Sequence, residues 1–289
     1  MTTAGVSAGL GQFCSKAGEV LLARILTGLV GIPFFLGVLY LGKWPLFAVV
    51  AGMGLIGFHE YTRIWKAKDL HLPYFLGAAL CLGFFLWAEM APGNGVVPGA
   101  LMALTVMASL SWLIFQYAKH TILDALVTIA GVAYVGWSLS HLILIRGFGA
   151  GTGFDLGLKW IMFAFFCTWA ADSFAYWVGM AMGRHKLAPK ISPGKSVEGA
   201  LGGSIGAIVV GWFMGPVVAI APWQGALIAA VLSVVSVAGD LAESALKRFA
   251  GVKDSGTLLP GHGGILDRFD SSLFVLPYVY YVAKLFFVK

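Results

Sequence analysis

The stretch QGALIAAVLSVVSVAGDLAESALK, residues 224–247, runs for sixteen positions without a charge and then places Asp240, Glu243 and Lys247 within eight. Read as an α-helix, it carries Asp240 about 24 Å from its start, close to the far edge of a hydrocarbon layer roughly 30 Å thick. Helical periodicity puts Asp240, Glu243, Ser244 and Lys247 on one face. Carboxylates so near lipid are costly and normally point into protein or a wet cavity. Phospholipid phosphates sit at the same level, and Mg²⁺ commonly takes one or two carboxylates together with substrate phosphates. This helix end suits a cation shared with phosphate.

Similar runs recur along the whole chain. Of 289 residues, 59% are hydrophobic and 11% charged, and the mean hydropathy is +0.88, whereas soluble domains are about one quarter charged. Spans of bilayer length are expected near 22–42, 45–65, 74–92, 95–116, 125–146, 158–182, 199–221, 224–246 and 270–288. Polar or breaker-rich stretches such as KDLHLP, PGNG and GRHKLAPKISPGKS separate them. The expected fold class is all-α: a polytopic integral membrane protein with about nine transmembrane helices and a cytoplasmic N-terminus. Residues 1–20 lack the regions of a cleaved signal peptide and are read as a leader. An N-terminal transmembrane region follows over 21–150, and a C-terminal transmembrane catalytic region over 151–289. Cys14, Cys81 and Cys167 are far apart with no metal-ligand spacing, so apolar packing accounts for them.

Orientation follows from the basic residues. With the N-terminus inside, 14 of the 19 Lys and Arg fall on the cytoplasmic side, as the positive-inside bias demands. The same bias explains the net charge of +6 without a nucleic-acid partner. Little chain remains outside the spans, so chemistry must be built from helix ends and the two longest inner loops, near 183–198 and 247–269.

The second of these loops runs into VKDSGTLLPGHGGILDRFD, residues 252–270. Five of the 13 acidic residues, Asp240, Glu243, Asp254, Asp267 and Asp270, crowd into the 31 positions that end there. Asp267 and Asp270 are three apart and can face one way. For Asp270, followed by Ser271 and Ser272, helix capping competes evenly with a functional role. His262, Gly263 and Gly264 supply backbone that can approach a ligand closely. Lys247, Arg248, Lys253 and Arg268 flank the turn. Alone they would reflect topology and anionic headgroups; among so many carboxylates they point to phosphate. The other inner loop offers Lys195, Ser196 and Glu198 in SPGKSVEG, ahead of a glycine-rich first helical turn that suits phosphate. Asp172 lies inside a span, where an ionisable group is functional by default or pairs with the basic cluster. Glu60 and Glu89, in or near early spans, have no assignable partner.

Residues 244–270, SALKRFAGVKDSGTLLPGHGGILDRFD, resemble the signature segment of the phosphatidate cytidylyltransferases, or CDP-diacylglycerol synthases. That pattern runs S-x-apolar-K-R, four residues, K-D-x-small, an apolar residue, P, a spacer, HGG, apolar, x, D-R-apolar-D. GDLAES, ADSFAY and SPGKSVEG are similar to family features too. The resemblance implies condensation of CTP with phosphatidic acid to CDP-diacylglycerol and pyrophosphate in the inner (plasma) membrane. It also implies Mg²⁺, often K⁺ as a second cation, a homodimer, and Asp240 and Asp267 as the metal-binding carboxylates.

The residues support the same chemistry independently, because phosphoryl-type transfer needs charge neutralisation more than covalent participation. Asp240, Asp267, Lys247, Arg248 and Arg268 are expected to be catalytic. Lys195, Ser196, Glu243, Ser244, Lys253, Asp254, His262, Gly263, Gly264 and Asp270 are expected to bind substrate. Two rivals fit less well. The D-G-x₂-A-R pattern of CDP-alcohol phosphotransferases is absent, since Leu241 and Ala242 follow Asp240. An ion-coupled transporter would place its carboxylates near the bilayer midplane.

Overall fold

The computed structural model describes residues 29–31, 33–149, 155–256 and 263–288. Among them the chain forms nine main helices: α1 (Leu29–Leu41), α2 (Lys43–Lys66), α3 (Tyr74–Met90), α4 (Val96–Gln116), α5 (Ile122–Arg146), α6 (Leu156–Met182), α7 (Val197–Met214), α8 (Pro222–Ala250) and α9 (Ser272–Phe286). A single helical turn, Leu266–Phe269, precedes α9. Each helix falls on one of the nine expected spans. By length and hydropathy α4 to α8 can each cross a bilayer, while α1, α3 and α9 are shorter apolar helices. The protein is a multi-pass, all-α membrane protein.

Several boundaries differ from expectation for local reasons. α7 stops at Met214 rather than near 221, because Pro216 cannot continue a helix. A 3₁₀ turn and Ala219 at φ 63° then lead into α8. α8 runs on to Ala250, where Gly251 at φ 78° returns its N–H to Arg248 and closes the helix. The inner loop near 183–198 is an antiparallel hairpin, with β1 (Lys186–Ala188) paired to β2 (Ser192–Ser196). Within α5, residues Val132–Trp137 take the wider π-helical form.

Two packing regimes hold the bundle. Phe58, Phe84, Phe85, Leu142 and Ile145 are fully buried among α2, α3 and α5. On the other side, α6, α7 and α8 meet through small residues. Gly199, Gly202, Gly203 and Gly206 of α7 lie directly on α6, and Gly211 of α7 meets Gly225 of α8 backbone to backbone. In lipid, helices associate through such close contact because hydrocarbon offers no hydrophobic driving force. The small-residue stripe of α7 is therefore used within the chain. It brings α6 and the hairpin against the acidic end of α8.

Candidate active site

α8 presents the acidic end of the opening stretch as one face. Ser244 Oγ donates to Asp240 Oδ1 at 3.3 Å, and Lys247 Nζ lies 3.3 Å from Glu243 Oε1, each pair one turn apart. Lys195, in β2, forms an ion pair with Asp240 Oδ2. Lys247 also reaches off the helix and donates to Asp267 Oδ1 at 2.6 Å. Two carboxylates on different elements are thus each held by an ammonium group.

Asp267 belongs to the single turn Leu266–Phe269, where the loop doubles back. Its Oδ2 accepts the N–H of Gly264 at 2.8 Å and both the N–H and hydroxyl of Ser255, at 3.0 and 2.9 Å. Gly263, at φ 84°, makes the turn that aims Gly264 this way. Burial opposes the charge on Asp267, but the hydrogen bonds from Lys247, Gly264 and Ser255 outweigh it and hold the carboxyl below the usual carboxylate range.

Asp270 does not cap the helix that follows, which starts after Ser271 with no side-chain cap. Among the described residues it bonds only its neighbour's backbone, and it lies within electrostatic reach of Asp240. Its Oδ1 accepts the N–H of Ser271 at 2.6 Å. Burial, and then the negative charge of Asp240, push its carboxyl above the ordinary range. Gly239 permits the approach, since a Cβ there would stand 2.9 Å from the Asp270 carbonyl oxygen.

A cavity of about 240 Å³ opens beside Asp240, between α6, the hairpin, α7 and α8. Asp172, Lys195 and Asp240 supply its charged wall, and Gly199 and Gly203 leave it room. Asp172 is within electrostatic reach of Asp270, Asp240 and Lys195.

Other expected residues lie outside this cluster or do other work. Ser196 is buried and accepts the N–H of Gly199 at 3.1 Å, capping α7. Arg248 directs its guanidinium to the carbonyls of Ile191 and Val252, at 3.3 Å each, fastening the hairpin and the loop to the end of α8. Lys253, Asp254 and Arg268 are exposed. His262 lies outside the described residues. Among the described residues, no three His, Cys, Asp or Glu side chains form a ready-made metal cage.

A charged cavity at one end of a helix bundle is compatible with several lipid-modifying chemistries. The model of the cytidylyltransferase family matches residues 22–286. The chain belongs to that family. This cytidylyltransferase is 38% identical over 269 residues to a protein of Bacillus subtilis (strain 168) named phosphatidate cytidylyltransferase, covering 91% of this chain and 97% of the relative. A protein of the same name from Synechocystis sp. (strain ATCC 27184 / PCC 6803 / Kazusa) is 36% identical over 285 residues, covering 91% and 96%. One from Staphylococcus epidermidis (strain ATCC 35984 / DSM 28319 / BCRC 17069 / CCUG 31568 / BM 3577 / RP62A) is 35% identical over 262 residues, covering 88% and 95%.

The family match includes the N-terminal half, and the charged cluster draws on it in ways the sequence reading missed. Glu60 of α2, noted there without a partner, accepts the N–H groups of Ile265 and Leu266 and the hydroxyl of Ser255. Tyr134, on the π-helical segment, has a buried hydroxyl with no hydrogen-bond partner among the described residues, within electrostatic reach of Glu243, Asp270 and Asp240. A lone carboxylate in an apolar run was a usable signal for Glu60. No sequence pattern marked the π-segment, a form that often occurs at functional sites.

Proposed function

We propose that this enzyme transfers the cytidylyl group of CTP to phosphatidic acid, yielding CDP-diacylglycerol and pyrophosphate for phospholipid biosynthesis. The observation that carries the reading is the pair of ion pairs at one end of α8, Lys195–Asp240, which lines the cavity, and Lys247–Asp267. The relatives named phosphatidate cytidylyltransferase support it. The positive-inside bias supports a cytoplasmic position for that end, where a soluble nucleotide would meet a lipid phosphate.

The donor set fits Mg²⁺, which takes one or two carboxylates plus phosphate oxygens rather than a closed protein cage. Asp240 Oδ2 and Asp267 Oδ1 already hold cationic groups, and both oxygens of Glu243 are buried without a hydrogen bond among the described residues. Asp240 and Asp267 would hold Mg²⁺, with K⁺ near Glu243 or Asp270 as a second cation. Bound there, Mg²⁺ would neutralise charge on the triphosphate as pyrophosphate departs.

The chain's own part lies in its lysines. Lys195 and Lys247 act as placeholders: each ammonium turns from its carboxylate to a substrate phosphate oxygen, freeing Asp240 Oδ2 and Asp267 Oδ1. Exposed Lys253 and Arg268 meet the triphosphate from the aqueous side. Gly263 and Gly264, with His262, shape the leaving-group end. The lipid phosphate is already ionised at neutral pH, so no side chain need act as a general base. Its oxygen bonds to the α-phosphorus while the bond to the β-phosphate oxygen breaks in line.

The test uses purified protein in detergent with labelled CTP, phosphatidic acid and Mg²⁺. Labelled CDP-lipid is expected from the wild type and none from Asp240→Ala or Asp267→Ala. Near-normal turnover in either variant would sink the assignment.

A further inference from the structure

Glu60 is 4% exposed, and its carboxylate is surrounded by the loop that carries Asp267. Oε1 accepts the N–H of Ile265 at 3.0 Å, and Oε2 accepts the N–H of Leu266 at 2.8 Å and the hydroxyl of Ser255 at 3.2 Å. These donors bracket Asp267. Ile265 and Leu266 lead into its helical turn, and Ser255 and Gly264 bind its carboxylate. Ser255 Oγ stands between the two acids, 3.2 Å from Glu60 Oε2 and 2.9 Å from Asp267 Oδ2.

The fit leaves no slack. A Cβ added to Gly264 would come 2.5 Å from Glu60 Oε2, and one added to Gly256 would overlap Oε1. The loop is thus wrapped on a carboxylate that belongs to α2, more than 190 residues away in the chain.

We infer that Glu60 is a positioning residue for Asp267. It fixes the backbone at 255–256 and 264–266 so that Asp267 Oδ2 is saturated by N–H and O–H donors while Oδ1 is kept toward Lys247 and the cation. Glu60 touches no substrate; it acts through the loop. The inference rests on the reading of Asp267 as a metal ligand given above. Groups that orient metal-binding carboxylates typically change metal affinity or activity by about 10–100-fold when removed.

The test uses the full-length protein in detergent micelles, with Glu60→Ala and Glu60→Gln. Gln keeps one acceptor oxygen but presents an NH₂ group to a backbone donor. Mn²⁺ serves as a probe whose binding is followed by its electron paramagnetic resonance signal, with no turnover required. Hydrogen exchange is measured at the amides of 255–256 and 264–268.

In E60A, Mn²⁺ binding should weaken about 10–100-fold and the loop amides should exchange faster, with α6 to α8 as protected as in the wild type. E60Q should show the same changes to a smaller degree. At saturating Mg²⁺ the KM for phosphatidic acid should not change. Unchanged Mn²⁺ affinity, with or without faster loop exchange, overturns the inference. If E60A does not survive purification, E60Q alone decides by the same readouts. A wild type that binds no Mn²⁺ refutes the metal reading of Asp267 instead. Positioning is then decided by exchange: acceleration confined to the loop supports it, and unchanged exchange overturns it.

Discussion

Replacing Lys247 with Met removes one ammonium group from between two carboxylates. Its Nζ is 2.6 Å from Asp267 Oδ1 and 3.3 Å from Glu243 Oε1, and the Lys247, Asp267 and Glu243 side chains are only 12%, 6% and 1% exposed. With so little solvent to screen the charges, breaking the arrangement should cost about 3–5 kcal/mol. The loss falls unequally. Asp267 keeps the N–H of Gly264 and the N–H and hydroxyl of Ser255. Glu243 keeps no hydrogen bond among the described residues.

Neutralising Glu243 in the same protein should therefore recover a large part of the stability. Lys247→Met with Glu243→Gln is expected to regain about 2 kcal/mol, the scale of one buried unpaired polar group. Stability is read by denaturant unfolding in a mild detergent at neutral pH, and activity by labelled CDP-lipid formation. Both the single and the double variant should lack activity, because Lys195 remains on Asp240 but the ammonium that Asp267 passes to a phosphate is gone. A double variant that regains activity along with stability would reduce Lys247 to a purely structural role. A single variant as stable as the wild type would refute the ion-pair argument itself.

Three further outcomes are expected. Ser196→Ala should lose about 1 kcal/mol of stability, the usual worth of a helix cap, with no change in KM for CTP; a large KM change would make Ser196 a substrate ligand. Asp270 is raised from 3.8, so its ionised form weakens the fold at neutral pH. Asp270→Asn, which can still accept the Ser271 N–H, should be the more stable protein at pH 7, with the advantage fading as pH falls and gone below about 3.8. Asp267 is lowered from 3.8 and works in the opposite direction. Its contribution is complete above that value and lost as pH falls through the depressed folded value, so Asp267→Asn should be destabilised at neutral pH and converge with the wild type in acid. Unfolding curves across a pH series check both, and equal signs for the two variants would contradict the assignment.

Much of the site is legible along the chain because it lies on a single helix. Asp240, Glu243, Ser244 and Lys247 share a face by periodicity alone, and the contacts Ser244–Asp240 and Lys247–Glu243 follow from that spacing. Gly251 and Pro216 were present as stop signals. Their effect was to carry α8 on through Arg248 to Ala250, and to shorten α7. Arg248 shows the limit of reading by composition. Its charge fits phosphate, yet its guanidinium is directed to the backbone carbonyls of Ile191 and Val252. Ser196 shows it too, since a hydroxyl next to a glycine-rich turn serves a cap as well as a ligand.

Hydropathy, charge bias and helical period are properties of neighbouring residues. They were enough to establish a multi-pass helical protein, the position of the nine helices among the described residues, and an acidic, basic and glycine-rich cluster near one helix end. Which helix faces another is not a local property. The periodicity of α2 puts Glu60 on a face, but nothing in it says that this face meets the amides of Ile265 and Leu266, 205 and 206 residues later. The same holds for Lys195 on Asp240 and for Lys247 on Asp267. Those pairings depend on backbones brought close where Gly199, Gly203 and Gly239 carry no side chain. Only the packed bundle, where a buried carboxylate must find donors or be lost, decided which charges stand together.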